Sequence, residues 1–121
     1  MKILNQENLE IKVGCDIVNI DRFKKIEKSS LLKIFHELEI KNASHESIAG
    51  LFAAKESCKK VFNELRWHEI LIKKLKSGKP SLMLNNEKIK SQFDIMTYDI
   101  SISHDGKYAI STVIFLLSKK C

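Results

Sequence analysis

Proline occurs once, glycine four times and aromatic side chains nine times in the 121 residues. So little proline and glycine, beside 44% hydrophobic and 30% charged residues, excludes a disordered or low-complexity chain and fits a compact globular one; no segment repeats. Nine aromatics, of which Phe23, Phe52, Phe62 and Phe115 sit at core-like positions, are too few to interleave with bases, which argues against a nucleic-acid partner. Cys15, Cys58 and Cys121 are an odd count without metal-ligand spacing, so neither a disulfide framework nor a zinc site is implied. They read as reduced thiols, two packed and one terminal. The start, MKILNQENLEIK, has no apolar run of signal-peptide length, and no later segment approaches the ~20 apolar residues of a membrane span. The expectation is no membrane and a cytoplasmic location.

What remains is one domain over residues 1–121, large enough for a core but small for a deep private cleft, so that a site shared between subunits is natural. A formal charge of +6 calls for an anionic partner: nucleic acid, a phosphorylated cofactor or an acidic protein.

Ile11 to Ile20, IKVGCDIVNI, alternates as a strand with Ile11, Val13, Cys15 and Ile17 on one face and Asp16 among Gly14, Val18 and Ile20 on the other. A carboxylate in that company has to be paired, hydrogen-bonded or bound to a cation, unless it merely caps a turn at a strand end. Asp21 reads as the N-cap of a helix DRFKKIEK, with Phe23 and Ile26 inward and Arg22, Lys24, Lys25 and Lys28 outward. Such a face is ordinarily just solvated, and docks a partner only if that partner is acidic. Ser30 to Ile40 reads as a second amphipathic helix with His36 at its surface, and Ser44 caps a long helix from about His45 to Asn63. Arg66 to Leu75 alternates as a strand. In the turn Ser77-Gly78-Lys79-Pro80, glycine permits close backbone approach, Lys79 supplies charge and Pro80 stiffness, which suits a phosphate or a plain hairpin alike. After a short strand at Ser81 to Leu84 and a helical turn at Asn86 to Phe93, the strands Ile95 to His104 and Tyr108 to Leu117 join at Asp105-Gly106. Ser101, Ser103 and His104 gather at that junction, where they suit an anion or an ordinary exposed strand face. The fold class is α+β, an antiparallel β-sheet packed against one long helix.

The long helix carries charges in unexpected places. Lys55 and Lys59 fall inside the apolar arc of Ile48, Leu51, Phe52, Ala54, Cys58, Val61, Phe62 and Leu65; Glu56 lies at its edge with Ala49 and Ala53 one and two turns back. Small neighbours suggest open space above the carboxylate for a ligand or metal ion. The plainer alternative is a Glu56–Lys60 surface pair at i, i+4 with Lys55 and Lys59 snorkelling to water.

Taken in order, GCDIVNIDRF (14–23), AGLFAAKESCKKV (49–61), WHEILI (67–72), GKPSLML (78–84) and SISHDGKYAISTVI (101–114) resemble the holo-[acyl-carrier-protein] synthases, the short bacterial type of 4′-phosphopantetheinyl transferase. The resemblance implies Mg²⁺-dependent transfer of phosphopantetheine from coenzyme A to a serine of apo acyl carrier protein, in fatty acid biosynthesis, with release of adenosine 3′,5′-bisphosphate. It makes Asp16 and Glu56 the metal ligands, and Lys60 a catalytic cation against phosphate charge. Either Glu56 or a metal-bound water takes the serine proton. Gly78, Lys79, Pro80, Ser103 and His104 line the coenzyme A site, and Lys55 either joins them or holds Glu56. Members form homotrimers with coenzyme A between subunits, and the basic segment Arg22, Lys24, Lys25 and Lys28 receives the acidic carrier. Two positions depart from the pattern: Leu51 replaces a frequent arginine, and Ser57 a frequent alanine. The rival readings are a catalytically silent homologue that binds carrier or coenzyme A as a scaffold, and a small basic nucleic-acid-binding protein.

Overall fold

The computed structural model describes residues 8–120; the reading of the first residues and that of Cys121 lie outside them. Three long strands, β1 (Leu9–Asn19), β4 (Phe93–Asp105) and β5 (Tyr108–Lys119), form an antiparallel sheet in the order β1-β5-β4. Their β-branched alternation puts Val18, Ile100, Val113, Phe115 and Leu117 inside, all buried. The hairpin between β4 and β5 turns on Gly106 at φ +57°, a conformation that glycine adopts without the steric cost of a Cβ.

Across this sheet lies α3 (His45–Val61), whose N-terminus is capped by Ser44 accepting the Ser47 amide at 3.1 Å. It stops at Val61, two residues short of the expected end, because Phe62 turns extended to pack against Phe115 (ring centroids 5.3 Å apart). Gly14 fixes the closeness of helix and sheet. A Cβ there would stand 2.0 Å from the Ser57 carbonyl oxygen, so only glycine lets the α3 backbone rest on β1. Ala49 and Ala53 serve the same approach. Both are fully buried, so the alanines behind Glu56 face the core and hold the helix to it.

The second expected sheet region is separate. β2 (Ile70–Lys74) and β3 (Pro80–Leu84) pair only with each other, through the turn at Gly78 (φ +87°). Where β3 approaches β4, the Tyr98 hydroxyl accepts the Leu82 amide at 2.8 Å, a side-chain bond in place of a ladder. The strand starts late because Trp67–Glu69 form a 3₁₀ turn held by Glu69, whose carboxylate accepts the Arg66 amide at 2.8 Å. α4 (Glu87–Gln92) follows β3 as expected.

The segment 20–41 departs most from its sequence reading. Ile20–Phe23 is a 3₁₀ turn capped by Asn19, not by Asp21, and only two four-residue helices follow, α1 (Lys28–Leu31) and α2 (Glu37–Ile40). The apolar spacing explains the break: Ile20, Phe23 and Ile26 recur every three residues, then Leu31 comes five later, which slips off any helical stripe. The second break follows from Glu39. Its carboxylate turns inward and accepts the His36 amide at 2.8 Å, which starts a new helical turn there. No helix among the described residues is long and apolar enough to cross a membrane.

Candidate active site

Glycine at 14 brings β1 and α3 into contact, and the chemistry sits beside that contact. Asp16 lies two residues on from Gly14, on the inner face of β1 opposite Ser111, with its side chain 14% exposed. Lys60 reaches back from the last turn of α3 and donates to Asp16 Oδ1 at 3.1 Å and to the Cys15 carbonyl at 2.8 Å. Glu56 is one turn before Lys60 on the same face, and next in sequence to Ser57, which touches Gly14. Its carboxylate has no ion pair or side-chain hydrogen bond among the described residues. Lys60 thus joins α3 to Asp16, and Glu56 stands one turn before it on the helix. The i, i+4 pair weighed for Glu56 and Lys60 does not form, because Lys60 is taken by Asp16.

Two hard carboxylates from different elements, one of them without a protein cation, match the ligand set of Mg²⁺, which takes one or two carboxylates and completes its shell with water and substrate oxygens. Among the described residues no group of three or more His, Cys, Asp or Glu is placed around a metal position. Ser57 strengthens the frame. Its hydroxyl is 2.8 Å from the Ala53 carbonyl and 3.1 Å from that of Ser111, tying α3 to β5.

Lys55 is corrected. Its side chain is fully buried, and the three donors of its ammonium are spent on Glu39 Oε1 (2.7 Å), the Ile34 carbonyl (3.0 Å) and the Trp67 carbonyl (3.3 Å). It neither faces a ligand nor holds Glu56. Glu39 is equally enclosed and also accepts the Ile72 amide at 2.9 Å. Burial pulls the Lys55 ammonium below its ordinary pKa, while the hydrogen bond and charge of Glu39 hold it up. Sequence reasoning missed Glu39; the only signal was a lysine on an apolar arc, which demands a buried partner.

A cavity of about 820 Å³ opens elsewhere, between β2, the β2–β3 turn, the N-terminal half of α3 and the end of β4. It does not reach the Asp16–Glu56 edge. Gly78, Pro80 and His104 line it, with Lys41, Lys73 and Lys74 supplying cations and Leu51 an apolar wall. His104 is fixed by donating Nε2–H to the Glu46 carbonyl at 2.8 Å. The two remaining residues expected here are elsewhere. Lys79 turns to Asp99 at 3.1 Å, holding that carboxyl below its usual range. Ser103 points to the opposite face of the sheet, where it pairs with Ile110. That outer face is apolar and open: Ile11, Val13 and Ile17 are 71%, 64% and 60% exposed, with Ile110 and Ile114 beside them. Cys15 shares it, so this thiol is exposed and not packed as expected.

The basic residues of 22–28 do not form one helical face. Arg22 lies over the Phe52 ring (5.4 Å to the centroid), Lys24 pairs with Asp21 at 2.8 Å, and Lys28 with Glu37 at 3.3 Å; Lys25 is exposed. They remain on the surface, spread over a turn and a short helix.

The sequence model of the 4′-phosphopantetheinyl transferase superfamily matches residues 12–113. The chain belongs to this superfamily. Among its curated relatives, the holo-[acyl-carrier-protein] synthase of Sulfurovum sp. is 37% identical over 111 residues, covering 84% of this chain and 92% of the relative. That of Campylobacter fetus is 37% identical, covering 84% and 96%. A crystal structure of the Helicobacter pylori synthase in complex with coenzyme A superposes with a TM-score of 0.74 at 34% identity, covering 86% of this chain and all but 1% of that one. A Bacillus anthracis synthase in complex with CoA (3′,5′-ADP) gives 0.70 at 26% identity, covering 86% and 94%. The superfamily match spans both carboxylates, the Gly14–Ser57 contact, Lys60 and the cavity.

Proposed function

We propose that this phosphopantetheinyl transferase moves the 4′-phosphopantetheine arm of coenzyme A to a serine hydroxyl of apo acyl carrier protein, releasing adenosine 3′,5′-bisphosphate, in cytoplasmic fatty acid biosynthesis. The observation that carries the reading is the Lys60–Asp16 pair beside Gly14, with Glu56, unpaired among the described residues, one turn before Lys60, in a chain whose relatives are holo-[acyl-carrier-protein] synthases.

Asp16 and Glu56 would hold Mg²⁺, which when bound offsets the charge of the donor's pyrophosphate. Lys60, more than half exposed, sets a second positive charge at the same edge, where it stabilises the transferring phosphoryl group. A carboxylate has two oxygens, so Glu56 can serve a metal with one and accept the serine proton with the other. The serine oxygen then bonds to phosphorus as the bond to the bisphosphate breaks. Coenzyme A lies in the cavity of Gly78, Pro80 and His104, whose Lys41, Lys73 and Lys74 supply the charge that Leu51 lacks. Lys79 exchanges Asp99 for phosphate. The acidic carrier docks on Arg22, Lys24, Lys25 and Lys28.

The cavity and the carboxylate edge are separate within one chain, which supports a homotrimer in which neighbouring copies complete each site. The open apolar face of β1 and β5 is the surface that copies would cover, and it would bring Ser103 into the subunit boundary. The decisive test follows bisphosphate release by chromatography with apo carrier, coenzyme A and Mg²⁺. Release matched to carrier, and lost with EDTA or Asp16→Asn, is the expected result. Coenzyme A binding without release, across several carriers, would instead establish the scaffold reading.

A further inference from the structure

Two lysines stand where a helix would pair them with Glu56, at i+3 and i+4, yet Glu56 has neither. Each is drawn off in a different direction. Lys60 goes to Asp16 and the Cys15 carbonyl. Lys59 lies flat on the indole of Trp67, its Nζ 3.8 Å from the ring centroid. The indole is itself fixed: it stacks on Phe52 (5.4 Å, 27° between planes), one turn before Glu56, and Phe52 packs on Phe23 at 5.2 Å. A cation on a tryptophan face is held more firmly than one in an exposed helix ion pair.

We infer that Trp67 is a positioning residue of the proposed reaction: its indole face holds Lys59 away from Glu56 and so keeps that carboxylate available to a divalent cation. The inference rests on Glu56 being a metal ligand, as proposed above. Phe52 and Trp67 thus do more than fill the core. They form a rigid seat for one ammonium, so that a lysine beside the site adds positive charge to the protein without neutralising the ligand.

The test uses NMR on the full-length protein without substrate, with Mg²⁺ as the probe. The Lys59 ε-methylene protons are expected well upfield through the indole ring current, and to lose that shift in Trp67→Leu. Mg²⁺ titrations followed at the amides of β1 and α3 should show binding weakened about two- to fivefold in Trp67→Leu, the effect of one partly exposed ion pair. Affinity should return to the wild-type value in Trp67→Leu/Lys59→Met, and be retained in Trp67→Phe, which keeps an aromatic face. Rescue by removing a cation is not something a merely structural role of Trp67 produces. Unchanged affinity in Trp67→Leu, or a double variant no better than the single one, overturns the inference. If Asp16→Asn and Glu56→Gln leave the Mg²⁺ shifts unaltered while the Lys59 ring-current shift persists, the metal reading itself has failed, and the inference with it.

Discussion

Removing the Lys55 ammonium should unfold much of this protein's stability margin, and the size of the loss can be worked from the contacts. Lys55→Met keeps most of the aliphatic stem but leaves the Glu39 carboxylate, whose side chain is 1% exposed, without its counter-ion at 2.7 Å. The carboxylate keeps two backbone donors, His36 and Ile72, and the carbonyls of Ile34 and Trp67 lose one each. Breaking one side of a buried pair costs about 3–5 kcal/mol, against a total of roughly 5–15 kcal/mol for a domain. For a chain of this size that is a fall in Tm of about 10–20 °C. Glu39→Leu alone should cost a similar amount by stranding the ammonium. The double variant should cost clearly less than the sum, because no unpaired charge then remains inside. Urea unfolding followed by circular dichroism gives the four values of the cycle. Losses below about 1 kcal/mol, or strictly additive ones, would refute the claim that this pair holds the 31–41 segment and β2 on α3.

Four further outcomes follow from single features. Burial pushes the Cys58 thiol up to about 12, from 9.0, so its contribution to stability is complete below pH 9 and is lost as pH rises toward 12, by up to about 1.4 kcal/mol per pH unit; urea titrations between pH 8 and 10.5 should show the extra fall in wild type and not in Cys58→Ala. Native alkylation should spare Cys58, which is buried in the core, as peptide mapping will show. Gly14→Ala should cost about 3 kcal/mol or more, since its Cβ would lie 2.0 Å from the Ser57 carbonyl oxygen, and denaturant midpoints measure it directly. Ile17→Lys, on the open face of β1, should leave the fold intact but yield a smaller species in sedimentation velocity than the wild type; an unchanged sedimentation coefficient would remove the trimer from the account.

Much of this is legible in the sequence. The alternation around Asp16, the capped helix from His45 and the Asp105-Gly106 hairpin are local signals, and all three elements formed at nearly the expected bounds. The carboxylates of Asp16 and Glu56 were legible as anomalies, one on an apolar face and the other at the margin of an apolar arc. The segment 20–41 was not, because its breaks depend on a partner far away in sequence: Glu39 leaves a would-be helix to meet Lys55. The reading of Lys55 failed for the same reason, since an ammonium on an apolar arc looks alike whether it faces a ligand or a buried carboxylate. Ser103 and His104 are neighbours in sequence and were read as one cluster, yet a strand sends adjacent side chains to opposite faces. Where the two sheets meet, the Tyr98 hydroxyl accepts the Leu82 amide, a contact that no pattern of hydrophobicity announces.

The central claim is a covalent one, and the intact mass of an apo acyl carrier protein tests it most directly. After incubation with this protein, coenzyme A and Mg²⁺, the carrier should gain one phosphopantetheine on its serine, and the gain should vanish with Asp16→Asn, with Glu56→Gln and with a carrier whose serine is replaced by alanine. A carrier mass that stays unchanged with the wild-type protein, or a gain that survives loss of both carboxylates, would contradict the account.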